Sequence, residues 1–361
     1  MYMNHLFYNF RDSDEHRRCI AACLVQGTYV MEIDQTRPRV HAALAPPWWE
    51  SFHYRLLKVL ECECECMLCR TSLLRVGANR HRPWFIYGAI LEHAPPAGER
   101  RHPSAPRYIA AFRGTMPRHP TLLADMHHNL KILVNRQHDC CRFRHARREV
   151  GELLDYYSAV AGGGDGGVWL AGHSLGASIA LDVGRDMMAG RGLGLPTFLF
   201  NPPQVSLAPG MLPAALSRVA RGVVYPASYV VKAAMGTTVL RSHERGMEEL
   251  FERLAPWAPE LYAHERDVIC RGFIDYFEQR QRMLDRARFR PVAEVAMKLS
   301  FRDMHVSVLD RADGKEQRVR PHLLPSARLW KSSAGGDAHG LEQWWQPDSR
   351  LNLSSRRYSC A

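Results

Sequence analysis

The sequence predicts an α/β fold: a mostly parallel sheet with helices on both faces and a cap-like insertion. Three observations predict it. Short apolar runs alternate with helical segments through the first 200 residues. A Gly-x-Ser-x-Gly pentapeptide, residues 172–176, stands between one of these runs and the helix that follows. The 361 residues are 46% hydrophobic and 24% charged, an ordinary globular balance that can bury a large core without staples.

Residues 16–34 read as a helix followed by an extended piece. Residues 48–60 read as an amphipathic helix, because Trp49, Phe52, Leu56, Leu57 and Leu60 fall near helical spacing. Residues 84–91 and 108–112 read as strands, and 121–135 and 143–160 as helical segments. Residues 162–167 form a glycine-rich turn, 168–171 an apolar strand, 175–189 a helix and 197–200 another strand. Residues 1–345 are expected to form one domain, with an inserted loop over 61–82, a cap-like segment over 205–259 and a tail over 346–361.

The formal net charge is +11, which invites a nucleic-acid reading. The basic residues are spread along the chain, however, and no aromatic–basic interleaving accompanies them. A solvated basic face, or attraction to an anionic membrane surface, explains the charge more simply. No run approaches 18 apolar residues, and residues 1–18 lack the apolar core of a signal peptide. A cytoplasmic protein with reduced thiols is therefore expected. The glycine loop 162–167 precedes its strand, whereas a dinucleotide fingerprint follows one, and it lacks the ending of a P-loop.

The pentapeptide is Gly172-His173-Ser174-Leu175-Gly176. The bare pattern arises by chance about 0.1 times in a chain this long, from the usual glycine and serine frequencies. Its place between strand and helix adds the weight, since a strained turn there lifts a serine hydroxyl above a sheet. A side chain at Gly172 or Gly176 would clash in so tight a turn. Gly176, Ala177, Ala180 and Gly184 give the next helix a small face for close packing. A reactive serine needs a base, and the base an orienting carboxylate. Chain order leaves Asp267, Asp275, Asp303 and Asp310 open as acids, and His243, His264, His305, His322 and His339 open as bases. His173 adjoins the serine and does not read as its base.

The chain resembles plant members of the class 3, fungal-lipase-like branch of the α/β-hydrolases. The blocks that carry the likeness include Glu15-His16-Arg17-Arg18, Ala45-Pro46-Pro47-Trp48-Trp49 and Phe112-Arg113-Gly114-Thr115. Beyond the pentapeptide come Leu199-Phe200-Asn201-Pro202-Pro203, Asp267-Val268-Ile269-Cys270, Leu324-Pro325-Ser326-Ala327 and residues 338–345. Some relatives carry a GDSL esterase/lipase label, although no GDSL motif occurs in this sequence. The resemblance implies Ser174 as nucleophile, Asp267 as orienter and His339 as base. It implies an oxyanion hole from Thr115 and the backbone N–H of Leu175. It also implies an acyl ester or lipid substrate and no cofactor or metal. Glu342 stands where relatives tend to have a second histidine. The plainer readings are a helix-cap or ion-pair Asp267, a loop His339 and a strand-end Thr115.

Cys62, Cys64, Cys66 and Cys69 crowd the segment where the resemblance lapses. Their spacing lacks the two separated pairs of a zinc site, and His81, the nearest imidazole, is a poor fit. Residues 211–247 mix apolar and basic side chains and read as an amphipathic helix packed on the core, or else as a mobile lid or a membrane-facing surface. A scaffold that binds without turnover is the alternative to a hydrolase. The joint presence of serine, acid and histidine favours catalysis.

Overall fold

A computed structural model describes residues 14–36, 43–62, 84–98, 105–116, 141–161, 167–204, 241–298 and 324–360. Among the described residues, eight strands form one sheet whose spatial order follows the sequence. They are β1 (Tyr54–Cys62), β2 (Phe85–His93), β3 (Tyr108–Phe112), β4 (Val168–His173), β5 (Thr197–Phe200), β6 (Glu260–His264), β7 (Ala327–Ser332) and β8 (Ser354–Tyr358). Strands β3 to β7 are parallel, and β1, β2 and β8 add antiparallel edges.

This order decides where the helices go. Parallel strands added one after another in one direction, through connections of one hand, send every crossover helix to the same face. Helices α3 (Cys141–Ala161), α4 (Leu175–Arg191), α5 (Arg241–Leu254) and α6 (Arg271–Leu284) are such crossovers. Phe143, Val150, Ala177, Val183, Phe273 and Phe277 bury that face together with Leu170, Leu199, Leu261 and Leu329 of the strands. The opposite face needs a different cover, and the two ends of the chain supply it. Helix α1 (Asp14–Thr36) packs there with a 3-10 helix, Leu341–Trp345, over Trp169, Phe198, Phe200, Tyr262 and Trp330.

Arg18 locks the two ends together. Its guanidinium is buried and donates to the carbonyls of Trp344 (2.9 Å) and Gln346 (2.6 Å), and it pairs with Asp348. Glu15 accepts from the Asp348 N–H at 3.0 Å. The sheet edges are blunted by charge: β1 exposes Arg55 and Lys58, and β8 exposes Arg356 and Arg357.

Strands β2 to β5 and helices α3 and α4 lie where the sequence places them, within two residues. Two elements differ. Residues 48–60 are not a helix: α2 (Pro47–Glu50) ends at once, His53 takes φ 61°, and β1 begins at Tyr54. The apparent helical spacing spans two elements, and Leu56 and Leu57 face solvent beside a register shift. Residues 16–34 hold no extended piece: α1 runs unbroken through the Thr28-Tyr29-Val30 run. Burial overrides local preference there, and Thr28 Oγ1 donates to the Val25 carbonyl at 2.7 Å.

Glu61 and Cys62, expected in the inserted loop, close β1; the rest of that loop lies outside the described residues, as do 121–135, 162–166 and 205–240. Of the cap-like segment, residues 241–254 form α5, and Trp257 beyond it sits in the core. Within the expected tail, β8 pairs with β7. Among the described residues, no helix is long and apolar enough to cross a membrane.

Gly184 shows how tightly α4 is packed. A Cβ there would lie 2.3 Å from the Trp257 ring, whose Nε1–H donates to the Leu195 carbonyl at 2.9 Å. Gly184→Ala should therefore destabilise the fold by about 1–3 kcal/mol through overpacking, against the usual gain of alanine in a helix. Urea unfolding of the two proteins measures this.

Candidate active site

The C-terminal ends of parallel strands gather loops at one edge of an α/β sheet. Here β3 delivers Arg113, Gly114 and Thr115; β4 delivers Ser174; β5 delivers Asn201; β6 delivers Asp267; and β7 delivers His339.

Ser174 is the hinge between β4 and α4, with φ 53° and ψ −123°. A non-glycine residue with positive φ is strained, and the strain is held by what surrounds it. The Ser174 N–H donates to the Phe200 carbonyl at 2.9 Å, and its carbonyl accepts from the Ala177 N–H at 2.9 Å. The turn closes so tightly that a Cβ on Gly172 would lie 2.2 Å from the Gly176 carbonyl oxygen. A Cβ on Gly176 would lie 2.2 Å from the Phe112 carbonyl oxygen. Both glycines are thus required by backbone contact. The Leu175 N–H precedes the first bond within α4 and belongs to the helix's unpaired N-terminal donors. Gly114 lies against the same turn, since its Cβ would fall 2.8 Å from that of Ser174. Arg113 is buried and donates from Nε to Ile86 (2.6 Å) and from Nη1 to Gly114 (2.7 Å), which fixes the loop that carries Thr115.

His339 lies between the serine and the acid. Its Nε2 is 3.1 Å from Ser174 Oγ, and its Nδ1 is 2.8 Å from Asp267 Oδ2. A carboxylate cannot donate, so Nδ1 carries the proton and Nε2 presents its lone pair to the serine hydroxyl. The Asp267 side chain is 2% exposed, whereas that of His339 is 30% exposed. A carboxylate so enclosed needs donors. Asn201 Nδ2 donates to Oδ2 at 2.7 Å, and the Ile269 N–H donates to Oδ1 at 2.9 Å. Burial pushes the Asp267 carboxyl up, but the His339 hydrogen bond and charge, with Cys270 and the Ile269 N–H, outweigh it and hold it at about 2.

The structure brings Ser174, His339 and Asp267 into one hydrogen-bonded line and sets Leu175 and Gly114 beside the serine. Of the other acids and bases open by chain order, the two whose side chains are described, Asp275 and His264, do not join it. Asp275 is buried in α6, and His264 Nε2 bonds the Ala334 carbonyl. Asp303, Asp310, His305 and His322 lie outside the described residues, as do Cys64, Cys66, Cys69 and His81. Nothing is described of the His243 side chain.

Three neighbours had no role from sequence. Asn201, itself at φ 46°, donates to both Asp267 and the Ala338 carbonyl (3.1 Å), while its Oδ1 accepts from Trp344 Nε1–H. An asparagine at a strand end before two prolines was the available signal. His173 and Tyr29 are the other two: His173 Nδ1 is 2.8 Å from Tyr29 Oη, and Nε2 is 2.8 Å from the His339 carbonyl. Burial, and then the charge of His339, push the His173 imidazole down to about 3, against the pull of Asp267 and Asp337.

With that geometry in hand, comparison with known proteins places the chain. An Arabidopsis thaliana protein named GDSL esterase/lipase is 30% identical over 363 residues, covering 96% of this chain and 93% of that protein. The chain belongs to the same esterase/lipase-like family. No family model matches it, and no solved structure matches it.

The buried neutral His173 has a consequence for stability. The unfolded chain takes up a proton there below about 6.5, whereas the folded one does so only near 3. Stability present above pH 6.5 is therefore lost as pH falls through this window. Between pH 7.5 and pH 5 the loss from this group should be about 2 kcal/mol. His173→Gln, which has no titrating group, should show that much less decline in urea melts at the two pH values.

Proposed function

We propose that this protein is a serine carboxylester hydrolase of the α/β-hydrolase, class 3 lipase-like type, acting on acyl esters of lipid-like character. One observation carries the reading: Ser174 Oγ, His339 and Asp267 share a continuous hydrogen-bonded line beyond the C-terminal ends of the parallel strands β4, β7 and β6. The name of the Arabidopsis relative supports it independently.

In this reading His339 Nε2 takes the Ser174 proton as Oγ attacks the ester carbonyl carbon. Asp267 stays ionised, holds the imidazole in the Nδ1–H tautomer and stabilises the imidazolium. The tetrahedral oxyanion sits between the Leu175 N–H at the α4 N-terminus and Thr115. Its collapse breaks the bond to the alkoxy oxygen, which leaves as an alcohol with the proton from His339. Water, deprotonated by the same nitrogen, then attacks the acyl-serine and releases the acid. Val268 and Ile269, 63% and 40% exposed beside Asp267, offer an apolar approach suited to an acyl chain. The net charge of +11 supports encounter with anionic lipid surfaces from a cytoplasmic location.

The test is hydrolysis of a p-nitrophenyl ester series from acetyl to palmitoyl. Ser174→Ala is expected to lower kcat by on the order of 10⁶ and Asp267→Asn by on the order of 10⁴, with the fold intact. Equal hydrolysis by wild type and Ser174→Ala across the series would overturn the proposal.

A further inference from the structure

A base acts only if its ring starts from the right place as well as pointing the right way. Asp267 settles where the His339 ring points. It does not itself hold the His339 backbone, whose N–H donates to Asp337 Oδ1 at 3.0 Å on a loop after β7 that also contains Gly335, Gly336 and Gly340. The loop beyond β3, which carries Gly114 and Thr115, must keep its place on the other side of Ser174. Two side chains reach both loops. Gly114 N–H donates to Tyr29 Oη at 2.7 Å. Tyr29 Oη is 2.8 Å from His173 Nδ1, and His173 Nε2 is 2.8 Å from the His339 carbonyl.

The ends of this chain fix every role within it. A backbone N–H only donates and a carbonyl only accepts. His173 must therefore donate from Nε2 to His339, and a neutral ring then accepts at Nδ1. Tyr29 supplies that proton and accepts from Gly114. All four groups are satisfied in one direction, around a buried His173 at which an unmade bond is costly. A proton added at Nδ1 would face the Tyr29 oxygen with a second donor and break the single direction of the chain. The low proton affinity of His173 fits this.

We propose that His173 and Tyr29 are positioning residues, one oriented relay from Gly114 N–H through Tyr29 and His173 to the His339 carbonyl that clamps the oxyanion loop and the base loop on either side of Ser174. The inference rests on the hydrolase reading, and it gives α1 a part in the site: Tyr29 enters from the face opposite the crossover helices. His173, inside the pentapeptide, acts through His339 and touches no reacting atom.

The test combines kinetics with nuclear magnetic resonance of histidine-labelled full-length protein. With p-nitrophenyl butyrate, His173→Leu is expected to lower kcat about 10- to 100-fold, with KM changed less than about threefold, as for a displaced but intact base. His173→Gln, which keeps an N–H near the ε position, should recover most of that loss. Tyr29→Phe should lower kcat about tenfold, and Tyr29→Phe with His173→Leu should be no worse than His173→Leu alone, because both cut one relay. A His173→Leu protein within twofold of wild type, or a His173→Gln protein no better than His173→Leu, overturns the relay while hydrolysis by wild type stands. In the ¹⁵N spectra at pH 7, His173 should be neutral with its proton on Nε2, and the Nδ1 signal should move when Tyr29→Phe removes its donor. An imidazolium or an Nδ1–H tautomer overturns the relay whether or not the protein hydrolyses esters. If wild type neither turns over nor reacts with a fluorophosphonate at Ser174, the hydrolase reading fails. The spectra then still decide the hydrogen-bond chain.

Discussion

Everything at the candidate site depends on one backbone constraint, the turn at Ser174. Its φ of 53° and ψ of −123° place a serine where few side chains are comfortable. The turn exists because β4 and α4 meet almost without space, with Gly172 and Gly176 at the two contact points. The small face of α4 lets this helix approach β3, and the approach in turn sets Phe112 and Arg113 carbonyls against Gly176. Strain at a single residue is thus held by packing that extends through the crossover face of the sheet.

The second layer of order is electrostatic. A buried carboxylate beside an imidazole is unfavourable unless its lone pairs are occupied. Asn201, the Ile269 N–H and His339 occupy those of Asp267. Asn201 is held by Trp344, and Trp344 lies in the C-terminal segment that Arg18 binds to α1. The two chain ends that cover the open face of the sheet therefore also steady the acid. The sequential strand order makes this cover necessary, and the covering helix brings Tyr29 within reach of His173.

How much of this was legible follows from the range of each interaction. Ser174, Gly172 and Gly176 are a local pattern, and strands β2 to β5 carry apolar residues on both faces, so both were readable. Order along the chain left four acids and five histidines open, and only the family likeness singled out Asp267 and His339. Among the described alternatives, the Asp275 carboxyl lies within α6 and the His264 ring is engaged with Ala334, contacts that chain order cannot express. Tyr29 was not legible, because 144 residues separate it from His173 and no local spacing encodes that contact. Asn201 was visible as part of a family block, yet its role needs the position of Ala338 and Trp344. The edge strand β1 was misread as a helix because an edge can expose Leu56 and Leu57, which breaks the alternation that would mark a strand.

The most direct measurement is a crystal structure of the protein after reaction with an alkyl phosphonate, whose tetrahedral phosphorus stands in for the attacked ester carbon. The expected result is a single covalent bond from Ser174 Oγ to phosphorus, with the phosphonyl oxygen about 2.7–3.1 Å from the Leu175 N–H and from a donor of Thr115. His339 should remain between the adduct and Asp267. A phosphonyl oxygen turned away from α4, or an adduct on any other residue, would contradict the proposal that the strained turn aims Ser174 at an ester carbonyl.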